Sequence, residues 1–387
     1  MNIVSKLTLV ALLVASTAHA DTDMPLRAPH IDAASWVLMS ARTGQILTAA
    51  NENERRNPAS LTKLMTTYVA EQALDEGRIT LNDPVTIGND AWATRNPVFK
   101  GSSLMFLKPG DKATVSDLLR GIIIDSGNDA CVALSDYVSG GQQQFVEQMN
   151  ANVKLLNMPN THFETVHGLD APGQYSSARD MAVLAQTIIN SEPTYYPFYS
   201  EKSLTWNGVT QRNRNGLLWD KTLHVDGMKT GHTETAGYNL VATSIDGEGQ
   251  RLIAVVMGAA SSKGREEQAK KLLLWGQNNF ETVQLAQKDR AITREKVWYG
   301  QEKYAELGAG HNLFFTLPKG AAHELRVRYT LKDKDLKAPV AKGTEVGVIE
   351  YVYHDQVIGS EKLYTLSAVK EAGIFSRLKD FVSLKLS

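Results

Sequence analysis

The chain has 387 residues, 43% hydrophobic and 21% charged, which excludes disorder, collagen and coiled coil. Lys plus Arg number 41 and Asp plus Glu 42, so the formal net charge of −1 gives no general electrostatic case for nucleic acid. The only cysteine, Cys131, rules out a disulfide framework and any multi-cysteine metal site.

Residues 1–20 read as a secretory leader. Lys6 is their only charged residue, Leu7 to Ala15 is a short apolar run, and Ala18-His19-Ala20 is a small-x-small cleavage signal. The run is too short for a bilayer span, which needs about 20 residues. The expectation is export with cleavage after Ala20. Loss of Lys6 leaves 40 basic against 42 acidic residues, a net of −2.

Ser35-Trp36-Val37-Leu38-Met39 and Gln45-Ile46-Leu47-Thr48 flank Arg42-Thr43-Gly44 and predict a β-hairpin. Leu61, Leu64, Met65, Tyr68 and Val69 predict a helix from Leu61 to about Leu74. Helices and loops are expected to about residue 190. Strands return near Val225, with further strands over Tyr238–Thr243 and Leu252–Met257, and a closing helix over Arg265–Phe280. This pattern predicts one α+β domain over 21–280 whose sheet uses both ends of its chain. Short β runs with turn signals over 281–371 predict a small all-β domain. In 372–387, Ile374, Phe375, Leu378, Phe381 and Val382 share a helical face. Such a helix suits either a membrane interface or packing on the second domain.

Three short motifs carry chemistry. In Ser60-Leu61-Thr62-Lys63, a serine and a lysine three apart share a helical face. Lys63 can take the hydroxyl proton only when neutral, against an ordinary pKa near 10.4, so burial and a second cation are required. Pro58 favours a helix start, which places Ser60 at a helix N-terminus. The spacing recurs at Ser367–Lys370 and Ser376–Lys379, without a Pro-led apolar helix behind it. Ser126-Gly127-Asn128 supplies a proton relay and an amide, though such residues also make ordinary turns. Lys229-Thr230-Gly231, followed by His232, supplies a cation, a hydroxyl and a close backbone approach on a strand edge. Cys131 reads as a small buried side chain.

S-x-x-K, S-x-N and K-T-G in this order resemble the β-lactamases and penicillin-binding proteins. More narrowly, the chain resembles the low-molecular-mass D-alanyl-D-alanine carboxypeptidases of bacterial cell walls. The carrying stretches are 57–63, 125–130 and 226–232, with His167-Gly168-Leu169-Asp170 and Tyr175–Asp180 beside them. The resemblance implies a β-lactamase/transpeptidase-like fold, an antiparallel sheet flanked by helices, followed by the β domain and an amphipathic tail.

It also implies the roles. Ser60 is the acylated nucleophile, Lys63 its base, and Ser126 with Asn128 the second wall of the site. Lys229 neutralises a terminal carboxylate and helps depress Lys63, and Thr230 and Gly231 line the edge strand. The backbone N–H groups of Ser60 and His232 form an oxyanion hole, while the His232 ring is expected to be structural. Arg265 is a further candidate for the carboxylate, although a basic residue opening a helix is ordinarily solvated.

The implied partners are peptidoglycan stem peptides, β-lactams and, through the tail, the outer face of the inner membrane from a periplasmic location. No cofactor or metal is implied, and H-E-x-x-H is absent. A β-lactamase is the nearest rival. Ser126-Gly127-Asn128 differs from its Ser-Asp-Asn, and Glu164 has no matching surroundings as a deacylating group. A non-catalytic wall-binding protein is the rival from another class.

Overall fold

The structure, a computed structural model, describes residues 2–3, 26–191 and 194–386. The expected leader lies outside the described residues, apart from Asn2 and Ile3. The chain packs as two compact units, one over Leu26–Asn279 and one that begins at Phe280.

In the first unit β1 (Ser35–Ser40) and β2 (Ile46–Ala50) form the expected hairpin. A 3₁₀ turn (Ala59–Thr62) runs into α1 (Lys63–Asp75). Then come a small hairpin, β3 (Pro84–Thr86) and β4 (Lys112–Thr114), and α2 (Val115–Arg120). A π-turn (Gly121–Asp125) precedes α3 (Asn128–Ser139), α4 (Gln142–Leu155) and α5 (Ala178–Ser191). A hairpin not foreseen from sequence, β5 (Ser203–Trp206) and β6 (Val209–Arg212), precedes the strand-rich return. That return comprises β7 (Val225–Thr233), β8 (Gly237–Ile245), β9 (Arg251–Ala259) and α6 (Ser262–Asn279).

The sheet order is β2-β1-β9-β8-β7, antiparallel throughout. Early and late strands therefore pair, as expected, and β7 with Lys229-Thr230-Gly231 is an edge. Val37, Met39, Val241, Ile253 and Val255 pack into the cluster built on α1, α3 and α5. Leu38, Leu240, Leu252, Ala254 and Val256 point the other way, onto Ala269, Leu272 and Leu273 of α6. A sheet covered on both faces needs strands without polar alternation, which explains the unbroken apolar run Leu252–Met257. Cys131 is fully buried, and burial pushes its thiol up to about 11.

The second unit is nearly all strand. β10 (Phe280–Ala286) pairs with β13 (Leu313–Pro318). β11 (Ala291–Trp298), β12 (Tyr304–Ala309), β14 (Arg326–Leu331), β16 (Glu345–Tyr353) and β17 (Gln356–Thr365) form a sheet in the order β14-β16-β17-β12-β11. The short β15 (Leu336–Lys337) runs parallel to the end of β11. The terminal helix α7 spans Ile374–Leu386. Asp380 on its polar side accepts the Tyr299 N–H at 2.8 Å. Its apolar residues face out instead: Ile374 is 77% exposed, Phe375 88% and Leu378 63%. The packed-helix alternative, which would seat that face on the β domain, is not what this unit adopts.

Candidate active site

Ser60 sits in the 3₁₀ turn, and Lys63 is the first residue of α1. Pro58 is not the first helical residue, as its preference had suggested. It precedes Ala59, whose φ of +48° turns the chain sharply into the serine. In a 3₁₀ turn residues i and i+3 eclipse, and Lys63 Nζ donates to Ser60 Oγ at 2.9 Å. Nζ also donates to Asn128 Oδ1 at 2.7 Å and to the His167 carbonyl at 2.5 Å.

Two glycines permit this arrangement. Gly168 has φ +85°, and a Cβ there would lie 2.0 Å from the Ala59 carbonyl oxygen. A Cβ on Gly231 would come within 3.1 Å of Ser60 N and 2.9 Å of the Pro58 oxygen. The edge strand therefore lies directly against the serine turn, as a close approach by glycine requires. Asn239 on β8 secures the same turn, donating to the carbonyls of Asn57 and Pro58.

Ser126 follows the π-turn with φ +58° and is buried. A non-glycine residue held in the left-handed region costs free energy that the surroundings must supply, and such residues cluster at functional sites. The Asn128 amide is fixed at both ends. Its oxygen accepts a hydrogen bond from Lys63 Nζ, and its nitrogen donates to Ser102 Oγ at 2.8 Å.

Lys63 is buried, and burial is the largest influence on it, pulling its pKa down to about 8. Among charges, Arg214 lowers it further, while Cys131 and Asp129 raise it. Lys229, also buried, is drawn well below the ordinary lysine value by burial first and by Lys63 next, so the two ammonium groups oppose one another. Holding Lys63 charged at neutral pH costs on the order of 3 kcal/mol. Its three hydrogen bonds hold Nζ between the serine, the amide and the His167 carbonyl.

These side chains open on a cleft of ≈ 660 Å³ lined by Ser60, Ser102, Ser126, Asn128, Leu169, Arg214, Thr230, Gly231, His232 and Arg265. Lys229, also buried, lies in the strand that forms this edge, its Nζ donating to the Thr230 carbonyl at 3.2 Å. The His232 ring stacks on Tyr238 at 4.0 Å. Arg265 is not solvated. It is 6% exposed and its guanidinium donates to the Gly231 carbonyl at 3.1 Å. All nine sequence-derived residues thus converge on one place. Glu164 does not join them: it is exposed and pairs with His162.

Sequence reasoning missed Ser102 and Arg214. Neither stands in a motif, and the loop carrying Ser102 is placed by contacts from far along the chain. Asp129 accepts the N–H groups of Met105 and Leu107 at 2.8 and 2.9 Å. Among the described residues no group of His, Cys, Asp and Glu is arranged to hold a metal ion.

An antiparallel sheet between helices, with a serine–lysine pair facing an Asn amide and a Lys-Thr-Gly edge strand, defines a serine acyl-transfer site of the penicillin-binding type. The chain belongs to the D-alanyl-D-alanine carboxypeptidase family, whose model matches residues 22–261. The model of the penicillin-binding protein 5 C-terminal domain matches 280–371. It is 59% identical to the D-alanyl-D-alanine carboxypeptidase DacD of Salmonella typhimurium over 92% of this chain and 91% of that one. Among solved structures it is similar to penicillin binding protein 5 from Haemophilus influenzae, with TM-score 0.83 and 49% identity over 89% of this chain and 99% of that one. The ampicillin-bound penicillin-binding protein D2 of Listeria monocytogenes matches 64% of this chain and 98% of its own, at TM-score 0.56 and 26% identity.

Proposed function

We propose that the protein is a serine D-alanyl-D-alanine carboxypeptidase that trims the terminal D-Ala from peptidoglycan stem peptides and is acylated by penicillins. The observation that carries this reading is the Ser60–Lys63 hydrogen bond inside a cleft whose edge strand lies against the serine turn.

Neutral Lys63 takes the Oγ proton as Ser60 attacks the carbonyl carbon of the penultimate D-Ala. The resulting oxyanion is held by the backbone N–H groups of Ser60 and His232. The C–N bond breaks, and the proton passes from Lys63 through Ser126 to the leaving amine. D-Ala departs. Water then attacks the ester, gives a proton to Lys63, and Ser60 Oγ regains one. Lys229, Thr230 and Arg265 receive the terminal carboxylate. A β-lactam opens its ring C–N bond on Ser60, but the amine stays tethered and blocks water.

Mass spectrometry tests this reading. With a D-Ala-D-Ala peptide, free D-Ala is the expected product, and with a penicillin, a stable adduct on the intact chain. Rapid penicillin turnover would make the protein a β-lactamase; no adduct and no D-Ala would make it a binding protein. The position of Glu164, paired with His162 away from the cleft, speaks against the lactamase.

The expected divisions at 20, 280 and 371 are part of the same proposal. The edges of the two family matches and the junction of α6 with β10 support the second. No helix among the described residues is long and apolar enough to cross a membrane. The proposed location is periplasmic, with α7 lying in the outer face of the inner membrane through its exposed Ile374, Phe375 and Leu378. Deleting 373–387 is expected to release the protein from vesicles while leaving peptide hydrolysis intact. Continued retention on vesicles would refute the anchor.

A further inference from the structure

Asp125 is a buried acid that the mechanism above does not use. It ends the π-turn directly before Ser126 and is 1% exposed. Neither of its carboxyl oxygens has a hydrogen-bond partner among the described residues. A buried polar group without a partner is rare and calls for a reason.

Asp129, close by, shows what an ordinary structural acid looks like. Its oxygens take the N–H groups of Met105, Leu107 and Ala130. Asp125 does no such work. The Asp125 carbonyl, not its carboxyl, accepts Arg214 Nε at 3.1 Å.

The charged groups that act on the carboxyl come from three elements. Arg214, on the segment between β6 and β7, and Lys229, on β7, favour its ionised form, and Asp129 on α3 opposes it. Burial outweighs all three and pushes Asp125 up to about 7. The acid is thus poised between its two forms at neutral pH, beside Arg214, which lines the cleft.

We propose that Asp125 is a positioning residue for anionic ligands: before a ligand enters it balances the charge of Arg214, which lines the cleft and is bonded to its backbone, and it takes up a proton when a ligand carboxylate assumes that part. This rests on the reading that the cleft receives a terminal carboxylate. The balance is simple. One carboxylate enters as an anion, one proton moves from solvent to the Asp125 carboxyl, and the charge of the site is conserved. Binding of such ligands must then weaken as pH rises through neutrality, because the linked proton becomes scarcer.

Calorimetry on the full chain carrying Ser60→Ala, which binds peptide without turnover, tests this. The ligand is a tripeptide ending in D-Ala-D-Ala, titrated near pH 7 in buffers of different ionisation enthalpy. Uptake of about half a proton is expected, with affinity falling roughly 10- to 25-fold between about pH 6.5 and about pH 8.5. Asp125→Asn and Asp125→Gln are each expected to abolish the uptake and flatten the pH dependence, and Asp125→Glu to retain both. No uptake in the parent, or unchanged uptake in the Asn and Gln variants, overturns the proposal; the latter places the proton on a lysine. The C-terminal amide of the same tripeptide separates the two claims. If it binds as tightly as the acid, carboxylate recognition itself fails, whatever Asp125 does.

Discussion

Ser60→Ala is expected to remove covalent labelling by a fluorescent penicillin altogether and to lower D-Ala release by at least about 10³-fold. Several hydroxyls line the cleft, but among the described residues Ser60 Oγ is the one to which Lys63 Nζ donates. Lys63 Nζ donates to Ser60 Oγ, and the turn that presents Oγ is wedged between Gly168 and Gly231. Ser126 is buried, on the opposite wall, at the start of a different helix. Gel fluorescence and single-turnover hydrolysis check the result. Labelling that persists in Ser60→Ala would remove the serine from its assigned role.

As the proposed base, Lys63 is expected to set the pH dependence of the acylation step. Its pKa lies below the unfolded value of 10.5, at about 8, chiefly because it is buried. The sign follows from this direction. The base acts when it has lost its proton, so the first-order acylation rate at saturating penicillin rises with pH and levels off above about 8. Using saturating ligand removes the opposing effect of pH on carboxylate binding. Lys63→Gln keeps polar contacts to Asn128 and the His167 carbonyl but cannot take the proton. Its acylation rate is expected to fall by roughly 10²–10⁴ and to lose the pH rise. Stopped-flow acylation from about pH 5.5 to about pH 9 measures both. A flat profile in the parent would exclude Lys63 as the base.

The same shift carries a stability consequence. Between pH values of about 8 and 10.5 the unfolded chain holds the Lys63 proton more tightly than the folded one. Folding stability contributed by this group therefore rises with pH across that window, and the charged form costs most below it. A base that must give up its proton near neutrality is necessarily a charge the fold does not favour.

Much of the architecture was legible because apolar periodicity reports burial directly. The hairpin 35–50, the strands near 238 and 252, and the short β runs within 281–371 all stand where their patterns place them. The β5–β6 hairpin was missed because Ser203–Trp206 and Val209–Arg212 are short and largely solvent-facing, so neither carries a buried pattern to read. The closing helix begins at Ser262 rather than Arg265, since its first turn is polar.

The site divides the same way. Ser60, Lys63, Ser126, Asn128 and the Lys229–His232 run were legible as chemistry because function demands those side chains at short, fixed spacings along one element. Their family resemblance then supplied the order and the reaction. Ser102, Arg214 and Asp125 were not legible as site residues, because their roles depend on distances across the fold. Ser102 meets Asn128 from 26 positions away, and Arg214 reaches the Asp125 carbonyl from 89. Arg265 had the right residue type, but only burial against the Gly231 carbonyl removes it from solvent. The tail shows the limit most plainly. Its amphipathic pattern suits a membrane face and a packed face equally, since both ask only for apolar residues on one side. The Asp380–Tyr299 contact, which turns that side outward, exists only in the folded chain. The sequence by itself thus singled out the proposed nucleophile and base by local spacing, and the class of reaction by family resemblance. The tertiary structure decided which charges surround them and which surfaces stay open, because burial and Coulomb interactions depend on distance in space rather than along the chain.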